Sequence, residues 1–373
     1  MKLTRVPTAL RLVGVVMAGS LALAACGSSA DNNGGGSSAG STGATASVDC
    51  QTGTLKSDGS TAQQNAMTQW IKDYQTKCNG ATINYGGGGS GQGVTDFSNK
   101  QVDFAGSDAA LSADKGEVTK AATACAGPAI DLPMVTGPIA LGFNVKGVKD
   151  LTLTPGVIAK IFLGKITAWN DPAIKAINSS ADLPSTKITV FSRSDQSGTT
   201  QNFESYLKAS APSDWTAEPS KQWAGAGQGK KGNQLVGQAV QSTDGSIAYV
   251  EWSYAIQNNL STAKVDNGGG AVELSAETAG KTVATAQVAP NGPGDLSLKL
   301  DYATKTAGAY PIVLVTYEIV CSKYNDSKVG ALVKSFMNYI VSEEAQNSVH
   351  DLGYAALPDS VRTQVQAAIE KIS

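Results

Sequence analysis

Apolar and polar positions alternate along this chain in a repeated order: a short β-rich run, a turn of Gly, Ser and Thr, then a helical stripe. Residues 51–56 read as a strand, and Ser57-Asp-Gly-Ser-Thr61 leads to a helix capped at Ser60/Thr61. In that helix Met67, Trp70, Ile71 and Tyr74 fall at i, i+3, i+4 and i+7, the spacing of a core-facing stripe. Residues 81–85 form the next strand, and a glycine-rich turn over 86–93 opens a helix that runs to 99. Residues 101–104 are strand-like and end in Ala105-Gly-Ser-Asp108. Residues 130–145 form a long apolar, β-rich passage with Pro133 and Pro138, suited to carry the chain between lobes.

Further on, 155–162 is helical, and 187–191 is a buried strand followed by Arg193, Asp195, a Ser197-Gly198-Thr199 turn and a helix starting near Thr199. A glycine-rich loop over 225–233 precedes a helix to Gln241, and 311–320 is a strong strand. Val329, Leu332, Val333, Phe336 and Ile340 mark an amphipathic helix, and a last helix covers 360–372. The stretch 260–310 is polar, glycine-rich and without a readable period. Alternating strands and helices predict an α/β fold with right-handed crossovers and mostly parallel sheets.

The strand–turn–helix unit occurs at Thr61, at Ser90 and at Ser197. A helix N-terminus exposes unpaired N–H groups and carries partial positive charge, so it accepts a small oxyanion directly. In such sheets ligands lie beyond the carboxyl ends of the strands, where these turns sit. Taken singly, Ser60, Ser90 and Ser197 are ordinary caps and Asp108 an ordinary turn former. Three turns at equivalent places, with the arginine fork of Arg193 and the carboxylate of Asp108, make one anion site.

Composition bounds the rest. At 373 residues, 41% hydrophobic and 16% charged, the chain has length for two domains and a sizeable core. Its net charge of −2 and lack of a basic patch argue against a nucleic-acid partner. Residues 1–26 read as a targeting segment: Lys2, Arg5 and Arg11, then an apolar run over 12–24, then Leu23-Ala24-Ala25-Cys26. This ending resembles a bacterial lipobox, which implies lipidation at Cys26 and a protein anchored on the extracytoplasmic face of the cell membrane; an ordinary secretory signal is the alternative. Residues 27–47 hold almost nothing apolar and form a tether with a reach of roughly 25 Å.

Cys50, Cys78, Cys125 and Cys321 remain in an exported domain, which suggests two disulfides. Cys50 precedes the first strand and Cys78 the second, so a parallel pair favours Cys50–Cys78 and hence Cys125–Cys321 among the three possible connectivities. No CxxC spacing and a single histidine leave zinc unsupported, and no metal or cofactor is expected. Gly86-x-Gly88-x-x-Gly91, with Asp108 downstream, loosely fits a dinucleotide fingerprint and keeps an exported Rossmann-like oxidoreductase as an alternative. Gly225-x-x-x-Gly229-Lys230 is one residue short of a Walker loop and reads better as a capping loop. With His350 the sole histidine and no carboxylate couple, no hydrolytic centre is visible, and an enzyme is not expected.

Several motifs in order resemble the phosphate-binding protein of the Pst-type ABC phosphate uptake transporter. They are Asp58-Gly-Ser-Thr61, Ile83-Asn-Tyr-x-x-x-Gly-Ser90, Val102-Asp-Phe-x-x-Ser-Asp-Ala109 and Arg193-Ser-Asp-x-Ser-Gly-Thr199. Phe162-Leu-Gly-Lys-Ile-x-x-Trp169, Gly229-Lys-Lys-Gly-Asn233, Gly245-Ser-Ile-Ala-Tyr-Val-Glu251 and Leu352-Gly-Tyr-Ala-Ala-Leu-Pro-Asp359 extend the likeness across most of the mature chain. The resemblance implies a two-lobed, type II periplasmic-binding-protein fold with a hinge, lobe 1 being 48–144 plus 312–373 and lobe 2 being 145–311. It implies that inorganic phosphate is captured by lobe closure and delivered to the permease subunits of an ABC importer by a monomer. Carried over by position, Thr61, Ala62, Ser90, Asp108, Arg193, Ser197, Gly198 and Thr199 bind phosphate, and Asp195 braces Arg193. Ala62-Gln63 departs from a Phe-Pro common in the family; Gly91 and Gln196 also differ, and no ligand contact is carried to them. A binding protein for another oxyanion would share this fold.

Overall fold

Pro133 and Pro138 punctuate the strand that organises the molecule. In the computed structural model, which describes residues 48–373, β4 runs from Ala129 to Asn144 and is buried at every position but the last. The targeting segment, Cys26 and the tether over 27–47 lie outside the described residues. Around β4 stand β1 (Gly53–Gly59), β2 (Ala81–Gly86), β3 (Phe104–Ser107), β5 (Thr189–Arg193), β6 (Gln228–Lys230), β7 (Ser246–Glu251) and β8 (Val313–Cys321). The order is β2-β1-β3-β8-β4-β7-β5-β6, with a short ninth strand, Ser261–Thr262, beside β4.

The first part of β4 pairs antiparallel with β8, from Ala129↔Cys321 to Pro138↔Val313. At Ile139 it changes partner and pairs with β7 up to Asn144↔Ser246. Proline offers no N–H to a ladder, so it sits where pairing is interrupted. Pro138 marks the change of partner. Next to Pro133, the register skips Met134 between Val135↔Thr316 and Pro133↔Tyr317, and Gln346 Nε2 donates to the bulged Met134 carbonyl at 2.8 Å. The flanks are parallel, β1 with β2 and β3 on one side and β5 with β6 and β7 on the other. The expected parallel sheets are thus present as two wings on an antiparallel centre.

Each wing carries its own aromatic core. In the first, α1 (Gln64–Lys77) buries Met67, Trp70 and Tyr74 as its stripe predicts, while Ile71 is only half-buried. Tyr74 meets Phe336 edge-on, with ring centroids 5.2 Å apart. In the second wing Phe203 stacks on Tyr249 at 4.7 Å and meets Phe162 edge-on at 4.8 Å. The expected disulfides Cys50–Cys78 and Cys125–Cys321 are both formed.

The unpatterned stretch 260–310 folds by contacts too distant in sequence to leave a period. Lys264–Asp266 pairs with Thr152–Leu153, and a short helix at Ala276–Val283 starts from a Ser275/Thr278 capping box. A hairpin, Gln287–Val288 with Leu298–Lys299, then packs on the first wing. Asn291 donates to the Leu111 carbonyl at 2.9 Å, Leu296 N–H to that of Asp131 at 3.0 Å, and Leu298 N–H to the Tyr317 hydroxyl at 3.0 Å. A piece of the segment expected in lobe 2 therefore lies against residues expected in lobe 1.

Candidate functional site

The three turns singled out in the sequence meet at Asp108, just past the end of β3. Asp108 is 2% exposed, and its contacts come from both wings. From the first wing the Ser60 hydroxyl donates to Oδ1. From the second, the Thr199 hydroxyl donates to Oδ2 at 3.0 Å, and Asn202 Nδ2 donates to the Asp108 carbonyl at 2.7 Å. Ser90, the first residue of α2 (Ser90–Ser98), accepts from the Asp108 N–H at 3.2 Å and from the Gly198 N–H at 3.1 Å. Gly198 opens α3 (Gly198–Ser210), and Ser197 caps it by accepting from Thr200 N–H. Close beside these contacts, Gly91 N–H donates to the Gln196 carbonyl at 3.0 Å, so the two positions without a carried-over ligand role bind each other.

Arg193 is 3% exposed and ends β5. Its Nε donates to Asp195 Oδ1 at 2.8 Å and Nη2 to Oδ2, a two-pronged pair. Nη1 reaches toward the Thr199 hydroxyl at 3.5 Å. The backbone N–H of Arg193 donates to the Tyr249 hydroxyl at 3.0 Å, which ties the strand end to the aromatic core beneath it. Gly232 N–H supplies a further donor to Asp195 Oδ1 at 3.0 Å. The guanidinium is thereby held rigid and largely neutralised, so the site acts on an anion through oriented N–H and O–H dipoles more than through net positive charge.

The loop before α1 differs from the expected cap. The helix begins at Gln64, and Ser60 does not cap it: its hydroxyl is drawn to the buried carboxylate of Asp108 and accepts instead from Ala62 N–H at 2.9 Å. The Thr61 hydroxyl accepts from the backbone N–H of Asn233 at 3.2 Å and from its Nδ2 at 3.0 Å. The Tyr254 hydroxyl donates to the Thr61 carbonyl at 2.9 Å, and Tyr354 to the Ala62 carbonyl at 2.6 Å. All eight residues expected to form the anion site, together with Asp195, are thus in one neighbourhood.

Burial pushes the Asp108 carboxyl above its ordinary range; hydrogen bonds from Ser60 and Thr199 and the charge of Arg193 pull it back without cancelling the rise. For Asp195 burial also acts upward, but the hydrogen bonds and charge of Arg193 and the Gly232 N–H outweigh it and hold that carboxyl low. One carboxylate is committed to the arginine. The other faces donors of both wings.

Ser60, Asn202, Asn233, Tyr249, Tyr254 and Tyr354 belong to this neighbourhood without having been assigned to it. Ser60 was visible as a cap and Asn233 as the end of a glycine-lysine loop. Tyr254 and Tyr354 reach the 61–62 loop from 193 and 292 positions away; Tyr354 falls in the Leu352–Asp359 motif, but neither carries a local sign of this contact. The glycine run over 86–91 does not serve as a dinucleotide loop here: Gly88 N–H donates at 2.7 Å to Asp58, whose carboxyl fills the turn.

Two α/β wings about shared central strands, with a buried polar site assembled from loops of both, define a solute-binding protein. The family described as the PBP superfamily domain matches residues 44–344. Phosphate-binding protein PstS3 of Mycobacterium bovis (strain BCG / Pasteur 1173P2) is 43% identical over 379 residues, covering 100% of each chain. PstS 2 of Mycobacterium tuberculosis (strain ATCC 25618 / H37Rv) is 43% identical over 367 residues, 97% of this chain and 98% of that one. Among solved structures, a phosphate-binding protein from Stenotrophomonas maltophilia shares the fold with TM-score 0.66 at 20% identity, covering 84% of this chain and 93% of that one. The phosphate-bound periplasmic protein PfluDING does so with TM-score 0.67 at 22% identity, over 85% and 93%. The chain belongs to the PstS phosphate-binding proteins of the PBP superfamily, a family of binding proteins and not of enzymes.

Proposed function

We propose that this chain captures inorganic phosphate between two lobes and hands it to the permease subunits of an ABC importer. The relatives' names support the ligand, and the single observation that carries it within this chain is Asp108. A buried carboxylate among helix N-termini and an arginine opposes any anion that lacks a proton. Phosphate keeps at least one proton near neutral pH and can donate it to Asp108. Sulfate has none, and two acceptors facing each other without water cost about 1–3 kcal/mol or more. The donors are Thr61 and Ala62 before α1, Ser90, Arg193, and Ser197, Gly198 and Thr199 at the start of α3. Phosphate oxygens would take over the Ala62 and Gly198 N–H groups from the Ser60 and Ser90 hydroxyls.

The lobes in this reading are 48–144 with 312–373 and 145–311, hinged at β4, which changes partner at Ile139, and at the chain's return beside it near Ile312. Each contributes only part of the donor set, so the ligand favours the closed arrangement. The order of positive residues, apolar run and Cys26 supports a lipid anchor, with 27–47 as tether, holding a monomer at the extracytoplasmic face of the cell membrane. Calorimetry with inorganic phosphate and with sulfate tests this reading. Phosphate is expected to bind and sulfate to give no saturable heat; equal binding of both removes the role given to Asp108, and binding of neither removes the function.

A further inference from the structure

Glu318 lies on β8, opposite Gly106 of β3 and Leu132 of β4, and is completely buried. Neither of its carboxyl oxygens has a hydrogen-bond partner among the described residues, and neither does Oε1 of Gln63. The Gln63 amide is the polar side chain that acts on the Glu318 carboxyl. It lies over Gly106, where an added Cβ would collide with Gln63 Nε2 and the Tyr85 hydroxyl. Among the described residues no cation pairs with Glu318. The titratable groups acting on it are Asp108 and Tyr85, while its neighbours on β3 and β4 are a glycine and a leucine.

Counting protons identifies what this cluster lacks. Tyr85 has one hydroxyl proton and donates it to the Ser60 carbonyl at 2.8 Å, so it faces Gln63 as an acceptor. Gln63 therefore presents Nε2 to Tyr85, at 3.0 Å, and its Oε1 is left needing a donor. An ionised glutamate has none to give, and a carboxylic acid has one. Leaving a buried carboxylate unpaired is among the costlier arrangements in a protein interior, so the neutral form is favoured on solvation grounds as well. Burial pushes this carboxyl well above its ordinary range; Gln63 opposes the shift and the charge of Asp108 adds to it.

We propose that Glu318 is carried as the neutral acid, and that its proton completes a chain through Gln63 and Tyr85 to Ser60 that sets the position of Asp108. It is a positioning residue for the anion site. The Ser60 carbonyl is held by Tyr85, and the Ser60 hydroxyl donates to Asp108 Oδ1, so the chain fixes both ends of the residue next to the selecting carboxylate. Were Glu318 ionised, a second negative charge behind Asp108 would oppose any bound anion. This deepens the phosphate reading and rests on it only where affinity is concerned.

The test is the carboxyl-carbon NMR resonance of Glu318 in the full chain, assigned by its loss in Glu318→Gln. It is expected to hold the protonated-acid position from about pH 5 to about pH 8, where exposed glutamates have ionised. A resonance that titrates with the exposed glutamates overturns the proposal, whether or not phosphate binds. In parallel, calorimetry with inorganic phosphate compares Glu318→Gln, which is neutral and retains a donor, with Glu318→Leu, which has none. Leucine is expected to weaken binding about tenfold and glutamine to restore it to within about threefold of the parent. Equal losses in the two variants overturn the positioning role. If Glu318→Leu fails to fold, the NMR titration decides alone.

Discussion

Replacing Gly198 with alanine adds one methyl group where α3 of one wing meets Asp108 of the other. The new Cβ would stand 2.7 Å from Asp108 Cβ, 2.8 Å from Ser90 Oγ and 3.0 Å from Asp108 Cα, well inside ordinary van der Waals contact. Two of those atoms are fixed by the backbone, so rotating a side chain cannot relieve the overlap. The N-terminus of α3 must instead back away by about 1 Å, at an overpacking cost of about 1–3 kcal/mol. That movement also stretches the Gly198–Ser90 and Thr199–Asp108 hydrogen bonds, now 3.1 and 3.0 Å. At about 0.5–1.5 kcal/mol each, the combined loss is about 2–6 kcal/mol. At 1.4 kcal/mol per tenfold this predicts phosphate binding weakened by roughly thirtyfold at the low end and roughly ten-thousandfold at the high end. With the lobes apart the methyl meets nothing and improves helix propensity slightly, so the melting temperature without phosphate should hold or rise. Calorimetry with phosphate and a thermal melt without it read the two effects separately. Parent-like affinity with an unchanged melt would refute closure at this contact. A fall in both would mean that the contact belongs to the fold and not to closure.

Asp108→Asn should relax discrimination, raising sulfate affinity relative to phosphate by about five- to a hundredfold in competition calorimetry; an unchanged ratio counts against selection by that carboxylate. Glu251 is completely buried, and its pKa is raised by burial to about 8. Because this folded-state value lies above the unfolded one, its stabilisation is full below about pH 4.5 and is lost as pH rises through about 8. Glu251→Gln should therefore flatten the decline in melting temperature between those limits, and an unaltered slope would show that this carboxyl does not contribute. Replacing Cys125 and Cys321 by serine opens a separation of 196 residues, against 28 for Cys50 and Cys78. The chain-entropy estimate is about 5 kcal/mol for the long closure and about 3.5 kcal/mol for the short one. Denaturant titration should rank them so, and the reverse order would point to strain or residual unfolded structure.

Much of this molecule is determined by local pattern. The stripe of α1, the strand–helix turns at Thr61, Ser90 and Ser197, and the proline-punctuated run that became β4 follow from residue spacing and from what proline and serine do to a backbone. Among the candidate anion-site residues, Thr61, Ser90, Ser197, Gly198 and Thr199 could be picked out because they sit at strand–helix turns, where exposed N–H groups are a property of the turn itself; Arg193 and Asp108 stood out by their charge beside those turns, and Ala62 only through the family resemblance. The hairpin at 287–299 and the tyrosines that reach Thr61 and Ala62 were not readable, because their partners lie on remote segments and leave no period. Tertiary structure alone decided that the Ser60 hydroxyl would leave its helix for Asp108, since only the assembled fold buries that acid and makes it compete for donors. The same burial decided the state of Glu318: one more polar letter in an apolar strand until the sheet closes over it and leaves its oxygens without a partner.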